Sequence, residues 1–158
     1  MEHAGTPRHH KADLIRSVAL FQGCNDAEVA RICSMTTEHW ARAGEVLTKQ
    51  GEPGLDGFVI VEGQVTATRS GRRIAHLGPG TLFGELALLD GNKRTATVVA
   101  ETDLILLVLS RRDFINLLDT APSVARKVMA ELGARLRRTD DLIDPLAERG
   151  GEVPPLSV

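Results

Sequence analysis

Glycine residues divide the middle of this chain into short segments, and their spacing limits the folds that the chain can adopt. Eight glycines lie between residues 44 and 80, and the runs between them, such as FVIVE and QVTATRS, are rich in valine, isoleucine and threonine. Short extended runs separated by turn residues are typical of an antiparallel sandwich or barrel. We therefore predict an all-β unit over residues 36–109, ending in a hairpin whose two strands are joined through Thr102 and Asp103.

A helical segment is predicted before the β unit. Apolar residues recur at helical spacing between residues 12 and 35. Within that segment, Asn25 is followed three positions later by Glu28, which is the arrangement of a capping box at the start of a helix. Residues 1–11 are polar and are predicted to form a flexible tail.

Helices are also predicted after the β unit, over residues 110–139. Ser110 is a candidate N-cap, and Pro122 suits the first turn of a second, longer helix. Residues 140–158 are rich in proline, glycine and acidic side chains and are predicted to be mostly irregular. The expected fold class is α+β, an antiparallel, jelly-roll-like β-roll of about eight strands with helices on both sides of it in the sequence.

Composition and charge exclude several classes of protein. A chain of 158 residues that is 42% hydrophobic suffices for one compact domain, and its net charge of −2 gives no basic surface for nucleic acid. The longest apolar run, Leu104–Leu109, has six residues, whereas a membrane-spanning helix needs about 20. The N-terminal residues do not resemble a secretory signal, and Cys24 and Cys33 suit a reducing compartment without forming a CxxC zinc motif. These features predict a cytoplasmic protein with no membrane span and no bound metal.

The segment FGELALLDGNKRTATV, residues 83–98, is the part of the chain that carries chemistry. Arg94 has the same strand parity as Ala96 and the small apolar residues at the next alternate positions, which indicates that its side chain points towards the interior. A guanidinium there needs an anionic partner, because an unpaired buried charge costs several kcal/mol. Two partners fit, a structural ion pair with Glu85 or Asp90 and the phosphate of a ligand held by the guanidinium and by helix N-terminal amides. Strand parity alone does not distinguish an internal ion pair from a ligand phosphate.

The same segment resembles the phosphate-binding cassette of cyclic nucleotide-binding domains. The family pattern is FGE, a short apolar helix, a variable turn, and an arginine followed by serine, threonine or alanine, then A-x-V. The positions that match it are Phe83, Gly84, Glu85, Leu86, Ala87, Leu88, Arg94, Thr95, Ala96 and Val98. Upstream, GEVLTKQGEPGLDGFVIVEGQV resembles the first half of the family's β-roll, so that the likeness covers residues 14–138.

The resemblance implies a role for each residue of the cassette. Arg94 would bind the cyclic phosphate, Glu85 would accept a hydrogen bond from the ribose 2'-hydroxyl, and Gly84 would lie against the sugar. The backbone N–H groups of Ala87 and Thr95 would complete the phosphate site. The ligand-binding set expected on this basis is Gly84, Glu85, Leu86, Ala87, Arg94, Thr95, Ala96 and Arg135. The ligand would be cAMP or cGMP, and no cofactor is expected.

The purine base is less constrained by the sequence. In the family, a hydroxyl residue after the cassette arginine occurs in domains that bind either nucleotide, so Thr95 is compatible with both, and we expect cAMP rather than cGMP. A side chain of the last helix covers the base in the family. Arg135 is our first candidate for this lid, with Leu132 and Leu136 as apolar alternatives, although Arg135 also fits a solvated surface charge.

The resulting expectation is a non-catalytic receptor that signals by repositioning its C-terminal helix towards an unknown protein effector. Only 20 residues follow Arg138, too few for the helix-turn-helix of activator relatives, so no DNA-binding domain is expected. The stripe Val128, Leu132 and Leu136 fits either a homodimer interface or packing on the domain itself. Two other readings stay open, an interaction module that binds no nucleotide and a jelly-roll metalloenzyme, although no HxH pair is present.

Overall fold

The computed structural model describes residues 8–84, 93–130, 133–134 and 137. Two helices precede the strands, and a short 3-10 helix lies between them. Their bounds are Arg8–Ser17 for α1, Ala19–Phe21 for the 3-10 helix and Asp26–Met35 for α2.

The predicted capping box at the start of α2 is confirmed. The side chain of Asn25 accepts a hydrogen bond from the backbone N–H of Glu28 at 2.8 Å, and the Glu28 carboxylate accepts one from the backbone N–H of Asn25 at 3.0 Å. Helix α1 begins at Arg8, inside the segment that was expected to be a flexible tail. The polar residues at its start carry no hydrophobic repeat from which the sequence could have indicated a helix.

Eight strands within the described residues form two antiparallel sheets. They are β1 (Thr37–Ala41), β2 (Val46–Thr48), β3 (Asp56–Glu62), β4 (Val65–Arg69), β5 (Arg72–Leu77), β6 (Leu82–Phe83), β7 (Thr97–Ala100) and β8 (Leu104–Ser110). One sheet has the order β1-β8-β3-β6 and the other the order β2-β7-β4-β5. The α+β fold with an antiparallel β-roll is therefore confirmed.

The predicted hairpin of the last two strands is wrong. Strand β7 pairs with β2 and β4 in one sheet, whereas β8 pairs with β1 and β3 in the other. Thr102 and Asp103 therefore connect the two sheets. The Thr102 hydroxyl accepts a hydrogen bond from the backbone N–H of Gln64 at 3.0 Å, and the backbone N–H of Glu101 donates to the Gln64 carbonyl at 2.9 Å. These contacts join the linker to the β3–β4 turn, which is far away in the sequence. A short polar linker between two apolar runs therefore does not indicate them.

Two apolar clusters form the core, one on each face of β3. Phe58 and Ile60 belong to the cluster between the sheets, whereas Val59 and Val61 belong to the cluster beneath the helices. The buried members of the cluster between the sheets are Ala41, Phe58, Ile60, Val65, Ala67, Phe83, Val98, Ala100, Leu104 and Leu106. Because side chains alternate along a strand, β3 is buried on both faces and is a rigid element of the fold.

Two helices follow the sheets. Helix α3 spans Arg111–Thr120, and its predicted N-cap is confirmed, since the Ser110 hydroxyl accepts a hydrogen bond from the backbone N–H of Asp113 at 3.2 Å. Helix α4 begins at residue 122 and is described through residue 130. Val128 is buried in the cluster beneath the helices, so this member of the predicted stripe packs on the domain itself. Leu132 and Leu136, the other two members, lie outside the described residues.

Gly63 provides a test of how closely the connection between the sheets is packed. Gly63 and Gly71 both have positive φ, of 95° and 79°. A Cβ at Gly63 would overlap the Asp103 carbonyl oxygen and lie 2.8 Å from the Thr102 hydroxyl, whereas a Cβ at Gly71 would meet nothing within 4 Å. Both alanine variants lose about 1 kcal/mol from backbone strain. We expect Gly63→Ala to lose at least about 2 kcal/mol more in urea unfolding, and equal losses would contradict this packing.

Candidate functional site

The backbone of Arg94 is attached to the turn that precedes β3. Its N–H donates to the Glu52 carbonyl at 2.8 Å, and its carbonyl accepts from the N–H of Gly51 at 2.9 Å. Next to it, Lys93 forms an isolated antiparallel bridge with Pro53. These main-chain bonds place the start of the Arg94 side chain beside the GEPG turn.

The side chain of Arg94 extends from there along the beginning of β3. Its Nη1 donates to the main-chain oxygen of Asp56 at 2.7 Å. Its Cζ lies 5.8 Å from the centroid of the Phe58 ring, within the range of a cation–π contact. The guanidinium is half-buried. Ala96 is 2% exposed, as expected for an interior position. Strand β7 begins only at Thr97, so Arg94 lies before the strand and its orientation comes from the contacts above rather than from strand alternation.

Two glycines leave the space that the guanidinium occupies. A Cβ on Gly54 would overlap Nε and Cζ of Arg94. Gly84 has a positive φ of 79°, and a Cβ there would lie 2.9 Å from Nη1 of Arg94 and 3.1 Å from the Asp56 carbonyl oxygen. The observed position of Arg94 therefore depends on the absence of side chains at residues 54 and 84.

The charge on Arg94 is only partly compensated by its described neighbours. Burial lowers the pKa of Arg94, and the nearby Asp56 carboxylate acts in the opposite direction. An arginine keeps its proton at physiological pH in spite of such a shift. The ion pairs formed within the described part of the chain do not include Arg94. Glu85 and Asp90, the candidate internal partners, lie outside the described residues.

A cavity of about 500 Å³ opens beside Arg94. It is lined by Val46, Leu47, Thr48, Lys49, Glu52, Pro53, Arg94 and Thr97. Lys49 and Arg94 outnumber the single carboxylate of Glu52, so the charge of the lining favours an anion. A larger cavity of about 700 Å³ lies next to Trp40 and contains the carboxylates of Glu62 and Asp103 but none of the residues predicted for the site. We therefore place the candidate site at Arg94 in spite of the larger volume elsewhere.

The predicted site residues are described in part. Gly84 contacts the guanidinium as above, the carbonyl of Thr95 accepts a hydrogen bond from Nε of Arg69 at 2.8 Å, and the carbonyl of Ala96 accepts one from the Thr48 hydroxyl at 3.0 Å. The other predicted members lie outside the described residues, and they are Glu85, Leu86, Ala87 and Arg135, together with the alternative lid residues Leu132 and Leu136.

Sequence reasoning missed the residues that hold Arg94. Asp56 and Phe58 contact its guanidinium, and Gly54 makes room for it. Asp56 lies 38 positions before Arg94, so no local pattern connects them. The GEPGLDGF segment was interpreted as turn and strand, and its glycine spacing was the available signal.

Within the residues that the structure covers, no three His, Cys, Asp or Glu side chains lie close enough together to hold a metal ion. No helix in the same residues has the length and apolarity needed to cross a bilayer.

The two cysteines differ in their surroundings. Cys33 is buried. Burial raises the pKa of the Cys24 thiol, and Glu28 adds a smaller effect in the same direction.

Comparison with known families gives one match. Residues 38–121, more than half of the 158 residues, match the model of the cyclic nucleotide-binding domain. The described part of this range contains strand β1 from residue 38 onward, strands β2 to β8 and helix α3.

Comparison with known proteins gives relatives of several kinds. A cyclic AMP receptor protein of Thermus thermophilus is 36% identical over 133 residues, which are 81% of this chain and 62% of the relative. The crystal structure of the Thermus thermophilus catabolite activator protein superposes with a TM-score of 0.75 at 36% identity, covering 82% of this chain and 63% of that one. A cyclic nucleotide-gated potassium channel of Mesorhizobium japonicum is 38% identical over 71% of this chain and 31% of its own length.

The chain spans less than two thirds of the length of these relatives. A glutaminase of Bradyrhizobium diazoefficiens, 36% identical over 76% of this chain, is matched over only 19% of its own length. Relatives named a receptor, a channel and a glutaminase thus each share only part of their length with this chain, and the activity of each whole protein does not follow from that part.

Replacing Arg94 distinguishes an internal ion pair from a charge held for a ligand. We expect Arg94→Met to change the free energy of unfolding by less than about 1 kcal/mol in ligand-free protein, because relief from desolvating the charge offsets one lost hydrogen bond. Urea unfolding measures this change. Arg73→Met is the control, because Arg73 is exposed on β5 beside Glu101. A loss of about 3–5 kcal/mol at position 94 alone would instead show a permanent internal ion pair.

Proposed function

Because this chain belongs to the cyclic nucleotide-binding domain family, we propose that it is a non-catalytic receptor for a cyclic purine mononucleotide whose phosphate binds Arg94. The observation that carries the proposal is a half-buried guanidinium whose described contacts are a carbonyl oxygen and an aromatic ring. Both contacts are uncharged, and the nearby Asp56 carboxylate opposes the effect of burial on the guanidinium only in part, so the positive charge is still available to an anion.

The chemistry of a cyclic phosphodiester suits this site. It carries one negative charge, which one guanidinium can neutralise while neutral backbone amides supply further hydrogen bonds. In this proposal those amides belong to Ala87 and Thr95. Glu85 accepts a hydrogen bond from the ribose 2'-hydroxyl and disfavours deoxy analogues, because its carboxylate would lose this hydrogen bond with them. Gly84, Leu86 and Ala96 complete the sugar and phosphate contacts.

We propose cAMP as the preferred ligand over cGMP. Support comes from the relative that is named a cyclic AMP receptor protein, and Thr95 is compatible with either base. Arg135 would cover the purine face, by stacking its planar guanidinium on the ring.

Binding would be reported by the C-terminal helices. The start of β3 supports this, because the carbonyls of two adjacent residues contact Arg94 at one end of the proposed signalling route and helix α3 at the other. The Asp56 carbonyl accepts from Arg94 at 2.7 Å, and the Leu55 carbonyl accepts from the backbone N–H of Arg111, the first residue of α3, at 2.6 Å. A nucleotide that moves Arg94 would thereby bias the position of α3 and of α4 after it, provided that it binds the two arrangements with different affinity. The protein effector, a homodimer and a cytoplasmic location stay predictions.

Calorimetric titration of cAMP and cGMP into the purified chain tests whether it binds a cyclic nucleotide. Arg94→Ala is expected to weaken binding by about 2 to 5 kcal/mol, on the order of a hundredfold or more, because the ligand phosphate loses its charged partner. The matched control is Arg73→Ala, which removes the same charge from the exposed face of β5 and is expected to leave the affinity unchanged. For the wild type, 2'-deoxy-cAMP is expected to bind more weakly than cAMP.

Two outcomes of the titration would contradict the proposed receptor function. One is a folded wild-type chain that binds neither nucleotide below the millimolar range, which would favour an interaction module. The other is an equal loss of affinity in Arg94→Ala and Arg73→Ala, which would point to general charge attraction rather than a phosphate site.

Hydrogen exchange tests the signalling step. On addition of saturating cAMP, amides in residues 122–138 are expected to exchange more slowly, because the last helix closes over the base. Strand β8, which is paired on both edges, serves as the internal reference and is expected to change little. Binding without any change in residues 122–138 would indicate a rigid receptor.

A further inference from the structure

We propose that Phe58 is a positioning residue, which fixes the Arg94 guanidinium in the orientation that receives the phosphate. This inference rests on the proposed function of Arg94. Phe58 would thus contribute to binding, a role that neither its residue type nor its burial indicates.

The ring of Phe58 lies in a fixed stack. Phe58 is 8% exposed. Its ring stacks with that of Phe83, with centroids 5.0 Å apart and planes inclined by 18°. The two residues are direct partners in the β3–β6 register, so the backbone pairing sets the ring positions. The Cζ of Arg94 lies 5.8 Å from the Phe58 centroid.

The guanidinium is therefore held by two neutral groups of one strand. Asp56 supplies its main-chain oxygen, and Phe58, two positions later in β3, supplies a π surface. Strand β3 is paired with β8 and β6 and is buried on both faces. A free arginine side chain samples many rotamers, and binding must pay for ordering it. An arginine already oriented by a rigid strand avoids that cost and binds its anion more tightly.

A purely structural role for Phe58 would require only an apolar side chain of similar size. The contact with Arg94 adds an electrostatic requirement, because the negative face of an aromatic ring attracts a cation. The two roles are separable, since fluorination withdraws electron density from a ring while changing its volume little.

The first experiment observes Arg94 directly in ligand-free protein labelled with nitrogen-15. The Nε–Hε signal of Arg94, assigned with Arg94→Lys, is expected to carry a ring-current shift. Phe58→Leu is expected to move it to the position of a solvent-exposed arginine, and Phe58→Tyr to preserve the shift. Phe21→Leu is the matched control, because Phe21 is also buried but belongs to the cluster beneath the helices. An Arg94 signal that is unchanged in Phe58→Leu overturns the proposal.

The second experiment measures the affinity for cAMP. Phe58→Leu is expected to weaken binding about five- to thirtyfold, which corresponds to the range of cation–π contacts, whereas Phe58→Tyr retains it. Site-specific replacement of Phe58 by mono-, di- and trifluorinated phenylalanine keeps the packing should Phe58→Leu fail to fold. A stepwise loss of affinity with each fluorine supports the proposal, and equal affinity across the series overturns it.

The two experiments separate this inference from the proposed function. A wild-type chain that binds no cyclic nucleotide refutes the receptor, yet the Arg94 signal still shows whether Phe58 orients the guanidinium. A chain that binds cAMP with an affinity independent of the ring's electron density refutes the positioning role and leaves the receptor intact.

Discussion

The half-buried charge of Arg94 is the constraint around which the middle of this domain is arranged. A guanidinium keeps its proton at physiological pH, so dipoles, π systems or an anion must compensate its burial. Among the described residues, the compensation comes from the Asp56 carbonyl, the Phe58 ring and the nearby Asp56 carboxylate, while Gly54 and Gly84 leave the space that the group fills. Neither neutral contact cancels the charge. The arrangement therefore keeps an attraction for an anion at the cost of some stability, a balance that is common at binding sites.

The two-sheet topology is what brings these groups together. The contact between Asp56 and Arg94 spans 38 positions of sequence. It forms because the turn before β3 is bridged to Lys93, while β3 itself is held between β8 and β6. Core residues cover both faces of β3, so the carbonyl and the ring are presented by one of the least mobile elements of the fold. A site supported in this way loses little entropy when a ligand binds.

The sequence could predict the features that depend on local patterns. The capping box of Asn25, the N-cap of Ser110 and the glycine-separated strands follow from neighbouring residues, and alternation placed Val98 and Ala100 of β7 on the buried side. The sheet to which each strand belongs depends on distant partners, which is why the sequence predicts a hairpin turn at Thr102 where the structure has a connection between the sheets. The same distinction between local patterns and distant partners applies to the candidate site. Arg94 was identified from parity and from the cassette pattern, whereas the role of Phe58 exists only once β3 and the cassette have been brought together by folding.

The turn before β3 also limits how the site can communicate with the rest of the domain. Leu55 and Asp56 are adjacent, and their carbonyls accept hydrogen bonds from the first residue of α3 and from Arg94. The two peptide units meet at the Cα of Asp56, so a reorientation of one is passed to the other unless the φ and ψ angles of Asp56 absorb it. In the proposed signalling route, a change at Arg94 that rotates the Asp56 carbonyl would act on the N-terminus of α3, and a shift of α3 would act back on Arg94. Coupling between two sites is reciprocal in free energy, so under this proposal a partner that contacts α3 and prefers one of its positions would change the affinity for the anion by the same factor.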